Sequence, residues 1–123
     1  DLHTIDQQVG NLIDFYNVQF YNQGNTQYNT YQELFTQASG YFSGTSVNKL
    51  SKEEFLKENI VGKPALQTDA TNTGYVSSTS LGQWVSQAYS NFGWYAGVMF
   101  WQYKSDLDGN IVSNAVNQLQ QYV

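Results

Sequence analysis

Two hydrophobic periodicities alternate along this chain. Residues 15–21 are rich in aromatic and β-branched side chains and run into a Gln-Gly-Asn turn signal, which predicts a strand. Strand side chains alternate faces, so Tyr16, Val18 and Phe20 point one way and Asn17, Gln19 and Tyr21 the other. The second set is a polar ladder inside a strand that otherwise reads as buried. Buried polar groups need partners, so the ladder either finds them in the protein or faces a polar ligand. After an Asn-, Gln- and Gly-rich loop, Tyr31, Leu34, Phe35 and Ala38 recur at helical spacing, and Gly40 ends that helix. A second helical piece, rich in Lys and Glu, is expected over 47–59. Ile60 to Pro64 reads as a short apolar strand, with Pro64 biasing Lys63 to extended geometry. A polar loop over 67–78 follows. Leu81, Trp84, Val85, Ala88, Tyr89 and Phe92 then form a helical stripe, with Thr79 or Ser80 as its cap and Gly93 as its stop. A third strand spans 95–101, with Ala96, Val98 and Phe100 on one face and Tyr95, Gly97, Met99 and Trp101 on the other. The last helix is expected to bury Ile111, Ala115, Val116, Leu119 and Tyr122. Residues 1–11 carry a weak helical pattern without a clean apolar stripe.

Strand and helix thus alternate three times, which argues for an α/β fold with a parallel sheet. Three such units can form a small open sheet but cannot close a β/α barrel, which needs eight strands and about 250 residues. Two architectures stay open at this point: a small α/β domain, or the last three β/α units of a TIM (β/α)8 barrel. In a barrel the chemistry lies at the C-terminal strand ends. Here those ends are Tyr21-Asn22, Pro64-Ala65 and Trp101.

Composition narrows the function classes. The 123 residues suit one domain of modest core. The net charge is −5, arginine is absent, and the five lysines are scattered. Nucleic acid and anionic membranes both ask for a clustered basic surface, so neither is an expected partner. No apolar run approaches the ~20 residues of a membrane span, and the start has no look of a signal peptide. Cysteine is absent, which removes disulfides and thiolate chemistry. The uncharged polar surface suits an extracellular, secreted protein. Aromatics reach 16%; Tyr and Trp offer flat apolar faces with a polar handle, which suits stacking on sugar rings. His3 stands alone, so no metal site is expected there. Asp106 to Asn110 has a calcium-loop look, but its glycine stands fourth and position twelve is Asn117, so helix capping through Asp108 or Asn110 is expected instead. Glu53, Glu54 and Glu58 sit beside Lys49, Lys52 and Lys57 as a solvated helix face rather than an acid–base pair. No cofactor is expected.

Four short stretches carry a family resemblance. Asp14 followed by Val18-Gln19-Phe20-Tyr21-Asn22 has the form Asp-x-x-x-Val-Gln-Phe-Tyr-Asn of the sixth barrel strand of glycoside hydrolase family 18, in particular the plant and fungal class III chitinases. Val61-Gly62-Lys63-Pro64-Ala65 resembles the seventh strand, Gly-Leu-Pro-Ala. Gly74-Tyr75-Val76 is similar to the loop after it. Gly97-Val98-Met99-Phe100-Trp101 resembles the eighth strand, Gly-Gly-Val-Met-Leu-Trp. Order and spacing agree over nearly the whole chain, and the resemblance favours the barrel: residues 1–123 would be the C-terminal segment of one catalytic barrel of fungal type.

The resemblance implies substrate-assisted, retaining hydrolysis of chitin, the β-1,4-linked N-acetylglucosamine polymer, an exception to the two-carboxylate scheme. It implies that Tyr21 holds the substrate's acetamido carbonyl, with Gln19 beside it as the second catalytic-site group. Trp101 would floor the reacting sugar, with Met99 one pleat deeper and Asn22 at the strand end as further substrate-binding residues. The family's acid-bearing run, Asp-x-x-Asp-x-Asp-x-Glu, is absent here. The implied partner is therefore the N-terminal part of the barrel, and the chain alone is expected to be inactive. An inactive chitinase-like or lectin-like sugar-binding protein is the alternative. The residue at the acid position, Glu or not, discriminates the two.

Overall fold

A computed structural model describes residues 2–24, 28–37, 59–71 and 73–120. Helix α1 (Leu2–Val9) passes through a 3-10 turn (Gly10–Leu12) into strand β1 (Tyr16–Gln19). Strand β2 is Asn59–Pro64, helix α2 Ser78–Phe92, strand β3 Val98–Trp101 and helix α3 Asn110–Gln120. The three strands form one parallel sheet in the order β1-β2-β3. From β2 onward this is the strand–helix alternation expected from periodicity, with shorter strands; between β1 and β2 the described residues hold only the helical turn at 31–37. Asn59, expected to end a helix, instead begins β2 and pairs with Tyr16. The rest of that Lys- and Glu-rich segment, with Glu53, Glu54 and Glu58, lies outside the described residues, as do Ala38, Gly40 and Tyr122.

One face of the sheet builds the core. Phe20, Val61, Leu81, Val85, Ala88 and Trp94 are all buried in a single cluster with Phe35 and Leu34, and Val18, Val98 and Phe100 pack against it. Trp94 is its largest member, 1% exposed, with its ring edge-on to Phe35 at 5.2 Å. Burying a side chain of this kind is worth about 2–3 kcal/mol, so this face sets the orientation of the sheet. The apolar stripe of α2 holds: Leu81 and Ala88 are fully buried, while Tyr89 at the stripe's edge is half exposed. Its cap lies two residues earlier than the nearer expected position. Ser77 accepts from the Ser80 N–H at 3.2 Å, and Gly93, at φ +72°, closes the C-terminal end.

Residues 31–37 depart from regular α-geometry, with a π-helical turn over Glu33–Gln37. It starts with a reciprocal cap: Thr30 Oγ1 accepts from the Glu33 N–H, and Glu33 Oε2 accepts from the Asn29 and Thr30 N–H groups at 2.7 and 3.1 Å. At the other end of the chain, the start of α3 is capped mainly by Asp106. Its carboxylate accepts from the Ile111 and Val112 N–H groups at 2.7 and 3.1 Å. Asp108, the expected cap, accepts from Asn110. Backbone and side-chain amides thus occupy both carboxylates. Among the described residues no group of three or more His, Asp or Glu side chains gathers for a metal.

Helices α2 and α3 pack on each other, and Ser86 Oγ reaches the Gln118 carbonyl across that seam. Of the α3 residues expected in the core, Ala115 is buried and Ile111 and Leu119 are partly so. Val116 is exposed because no further element covers that side of α3 among the described residues. β1 and β3 are the outer strands of the sheet. Between β3 and α3 an apolar groove of about 340 Å³ opens, lined in part by Val98, Phe100, Val112, Val116 and Leu119.

Candidate functional site

The second face of the sheet is open along its outer strands, at Asn17, Gln19 and Trp101, while Gly62 and Pro64 of β2 are buried between them. Asn17 and Gln19 of β1 are exposed, so the polar ladder is not buried as its strand pattern suggested. In this sheet it points to solvent and needs no internal partner. The register then decides which expected residues meet. Gln19 is level with Gly62, and Gly62 with Met99. A side chain on Gly62 would put its Cβ 2.6 Å from the Val18 carbonyl and 2.9 Å from Met99 Cε. The bare glycine is what lets Met99 lie across the middle strand. One pleat nearer the C-terminal ends, Pro64 is level with Trp101. Trp101 is 48% exposed, a ring half free at the end of β3. At about 4.8 Å per strand, the ends of β1 and β3 stand about 10 Å apart across Pro64.

Tyr21 does not share the exposure of Gln19. It is 6% exposed, and burial raises its phenol above the usual value. The loop after β2 lies hard against it. A Cβ at Gly74, whose φ is +103°, would come within 2.4 Å of both Tyr21 Cα and Cβ. Asn22 takes a left-handed conformation, φ +56°, which asparagine tolerates better than most residues. From there it ties the two exit loops together. Its N–H donates to the Thr73 carbonyl at 3.0 Å, and its Oδ1 accepts from the Thr71 N–H at 2.8 Å. Asn22 thus ties Thr71 and Thr73 to the end of β1 through its own backbone and side chain.

The loops after β2 and β3 are joined by Asp69. Its Oδ1 accepts from Gln102 Nε2 at 3.1 Å and Ser105 Oγ at 2.9 Å, and its Oδ2 from the Leu66 N–H. The hydroxyl of Ser105 above all, with Gln102 and the Leu66 amide, holds this carboxyl below its usual range against the opposing effect of burial. The Ala65 N–H donates to the Trp101 carbonyl, carrying the pairing one residue past β2.

Below these loops sits Lys63. It is fully buried, and its Nζ donates to the carbonyls of Phe20 at 2.8 Å, Tyr28 at 2.5 Å and Gly74 at 2.9 Å. Burial lowers its pKa from 10.5 to about 7, partly opposed by the Glu33 carboxylate. Sequence reasoning treated Lys63 only as a residue held extended by Pro64. The signal was nonetheless visible: one charge inside the apolar run from Ile60 to Ala65, on the same strand face as Val61.

This face combines a half-free indole, a thioether and the amide of Gln19, with the exit loops at its rim. Glu33 is the one glutamate among the described residues, and its carboxylate is engaged in the turn it caps. No protein-family model, curated protein or solved structure matches the chain.

Proposed function

We propose that this chain is the sugar-binding C-terminal part of a chitinase-like glycoside hydrolase, the sixth to eighth β/α units of a TIM barrel. The observation that carries the reading is the register of the open face: Gln19, Gly62 and Met99 in one row, with Pro64 and Trp101 in the next. Of these, Gln19, Met99 and Trp101 are residues that the family resemblance implies for the site, and Gln19, Pro64 and Trp101 end their parallel strands, the side where barrel enzymes bind substrate. The apolar groove beside β3 also supports the reading, since in a barrel the next β/α unit would cover it. In the intact, secreted enzyme, Tyr21 would orient the acetamido group and Trp101 would floor the sugar. The general acid would come from the N-terminal part of the barrel, the partner this chain requires for turnover.

The lectin-like alternative draws on one observation. Among the described residues no glutamate stands at a strand end, and Trp101 needs none to bind a sugar. The test is titration calorimetry of the chain with N-acetylglucosamine oligosaccharides, comparing wild type with Trp101→Ala. About half of an indole's 150–250 Å² is open to a ligand. Covering it is worth about 2 kcal/mol, roughly 30-fold in affinity. Binding by the wild type that Trp101→Ala leaves unchanged would remove the floor role. No binding by the wild type would remove the sugar reading for this chain.

A further inference from the structure

We propose that Lys63 is a positioning residue of the candidate site, whose ammonium clamps the exit loops of β1 and β2 together and so fixes where Tyr21 and Asn22 stand. It touches no ligand and acts through backbone. Its three N–H bonds go to three separate segments: Phe20 at the end of β1, Tyr28 in the loop that follows, and Gly74 in the loop after β2. Each segment neighbours a conformation the chain would not hold unaided. Asn22 and Tyr28 have φ of +56° and +54°, and Gly74 has +103°. A bulky residue such as Tyr28 in the left-handed region persists where its surroundings over-determine it. The Tyr28 carbonyl is fixed by the ammonium, and its ring lies edge-on to Phe20 at 5.0 Å.

An ammonium has three donors and meets three carbonyls. A neutral amine has two, so loss of the proton leaves one of the three carbonyls without its donor and changes the contacts of that loop. The ionisable groups on the elements around Lys63 are Glu33 on the π turn and the phenols of Tyr21, Tyr28 and Tyr75. Of these, Glu33 acts to keep the ammonium charged. The lowered pKa brings the change of state into that range. The link to sugar binding rests on the function proposed above; the loop geometry does not.

The test follows Lys63 and the loops by NMR on isotope-labelled full chain. The Lys63 side-chain signals, the amides of Asn22 and Thr71, and the amide of Gln118 at the α2–α3 seam as a control are titrated from acid to mildly alkaline pH. The expected result is that Asn22 and Thr71 shift with the Lys63 midpoint while Gln118 does not. In Lys63→Met that transition is absent, and exchange protection of the two loop amides falls about tenfold, the loss of one hydrogen bond's worth of local stability. Loop amides that ignore the wild-type titration overturn the proposal, even if the variant fails to fold. Calorimetry with N-acetylglucosamine oligosaccharides over the same pH range separates the two readings. Loops that follow Lys63 in a chain that binds no sugar support the clamp and sink only the sugar reading. Sugar affinity that stays constant while the loops move overturns the positioning role.

Discussion

Gly74→Ala is the sharpest probe of the loop junction, because two costs at this position can be separated. The first is conformational. At φ +103° an L-residue is strained, by about 1–2 kcal/mol. The second is steric. The new Cβ would stand 2.4 Å from Tyr21 Cα and Cβ and 3.0 Å from the Phe20 carbonyl oxygen. None of these is the end of a flexible side chain, so backbone has to move. Overpacking of this kind costs about 1–3 kcal/mol, and it pulls on the Gly74 carbonyl held by Lys63. Together the two predict about 3 kcal/mol of destabilisation, or roughly 12 °C in Tm for a domain of this size. Gly93→Ala supplies the control. Gly93 also has positive φ, +72°, but an added Cβ there meets nothing within 4 Å. It should cost about 1 kcal/mol. Urea denaturation of both variants, with equal m-values, measures the difference. If Gly74→Ala costs no more than Gly93→Ala, the loop after β2 does not press on Tyr21, and the site geometry argued from it is wrong.

Three further outcomes follow from other parts of the fold. Asp106→Ala should lose about 1–2 kcal/mol, since the Ile111 and Val112 N–H groups at the start of α3 lose their acceptor; urea denaturation reads the loss, and unchanged stability would refute the cap. Stability should depend on pH through Lys63. The folded group loses its proton near 7 and the unfolded one near 10.5, so between these values the unfolded chain binds more protons and stability rises with pH, while below about 7 it is flat. The expected gain from pH 7 to 9 is about 2 kcal/mol in the wild type relative to Lys63→Met; parallel curves for the two proteins would place the Lys63 pKa at its ordinary value. Tyr21→Phe should leave oligosaccharide affinity of the chain near that of the wild type, because the hydroxyl's proposed work lies in the transition state; a loss equal to that of Trp101→Ala, by the same calorimetry, would contradict that division of roles.

The split between what could be read early and late is clearest on β1. Its alternation put Tyr16, Val18 and Phe20 on one face and Asn17 and Gln19 on the other, and that face assignment holds. Period two is a property of the strand backbone itself. Whether the polar face is buried is not, because it depends on what the sheet packs against. Here that face is open, so Asn17 and Gln19 are exposed. Tyr21 went the other way, buried by a loop that starts more than forty residues later in the chain. Helix α2 shows the same division. Its stripe and its Gly93 stop were legible from spacing and residue type. The cap fell on Ser77 among neighbouring serines and threonines, each able to fill the role.

Periodicity and local propensity act within a few residues, so they made legible the strands, helix α2 and most of their core-facing positions, though not that Tyr89 and Val116 would stay exposed. The sequence by itself also named Gln19, Met99 and Trp101 as candidates, but not that Gly62 would seat Met99 between them. Register, edges and loop contacts came from the tertiary structure. Lys63 shows why. A lysine in an apolar strand is costly wherever it points, and only the folded chain brings the Phe20, Tyr28 and Gly74 carbonyls within reach of one ammonium.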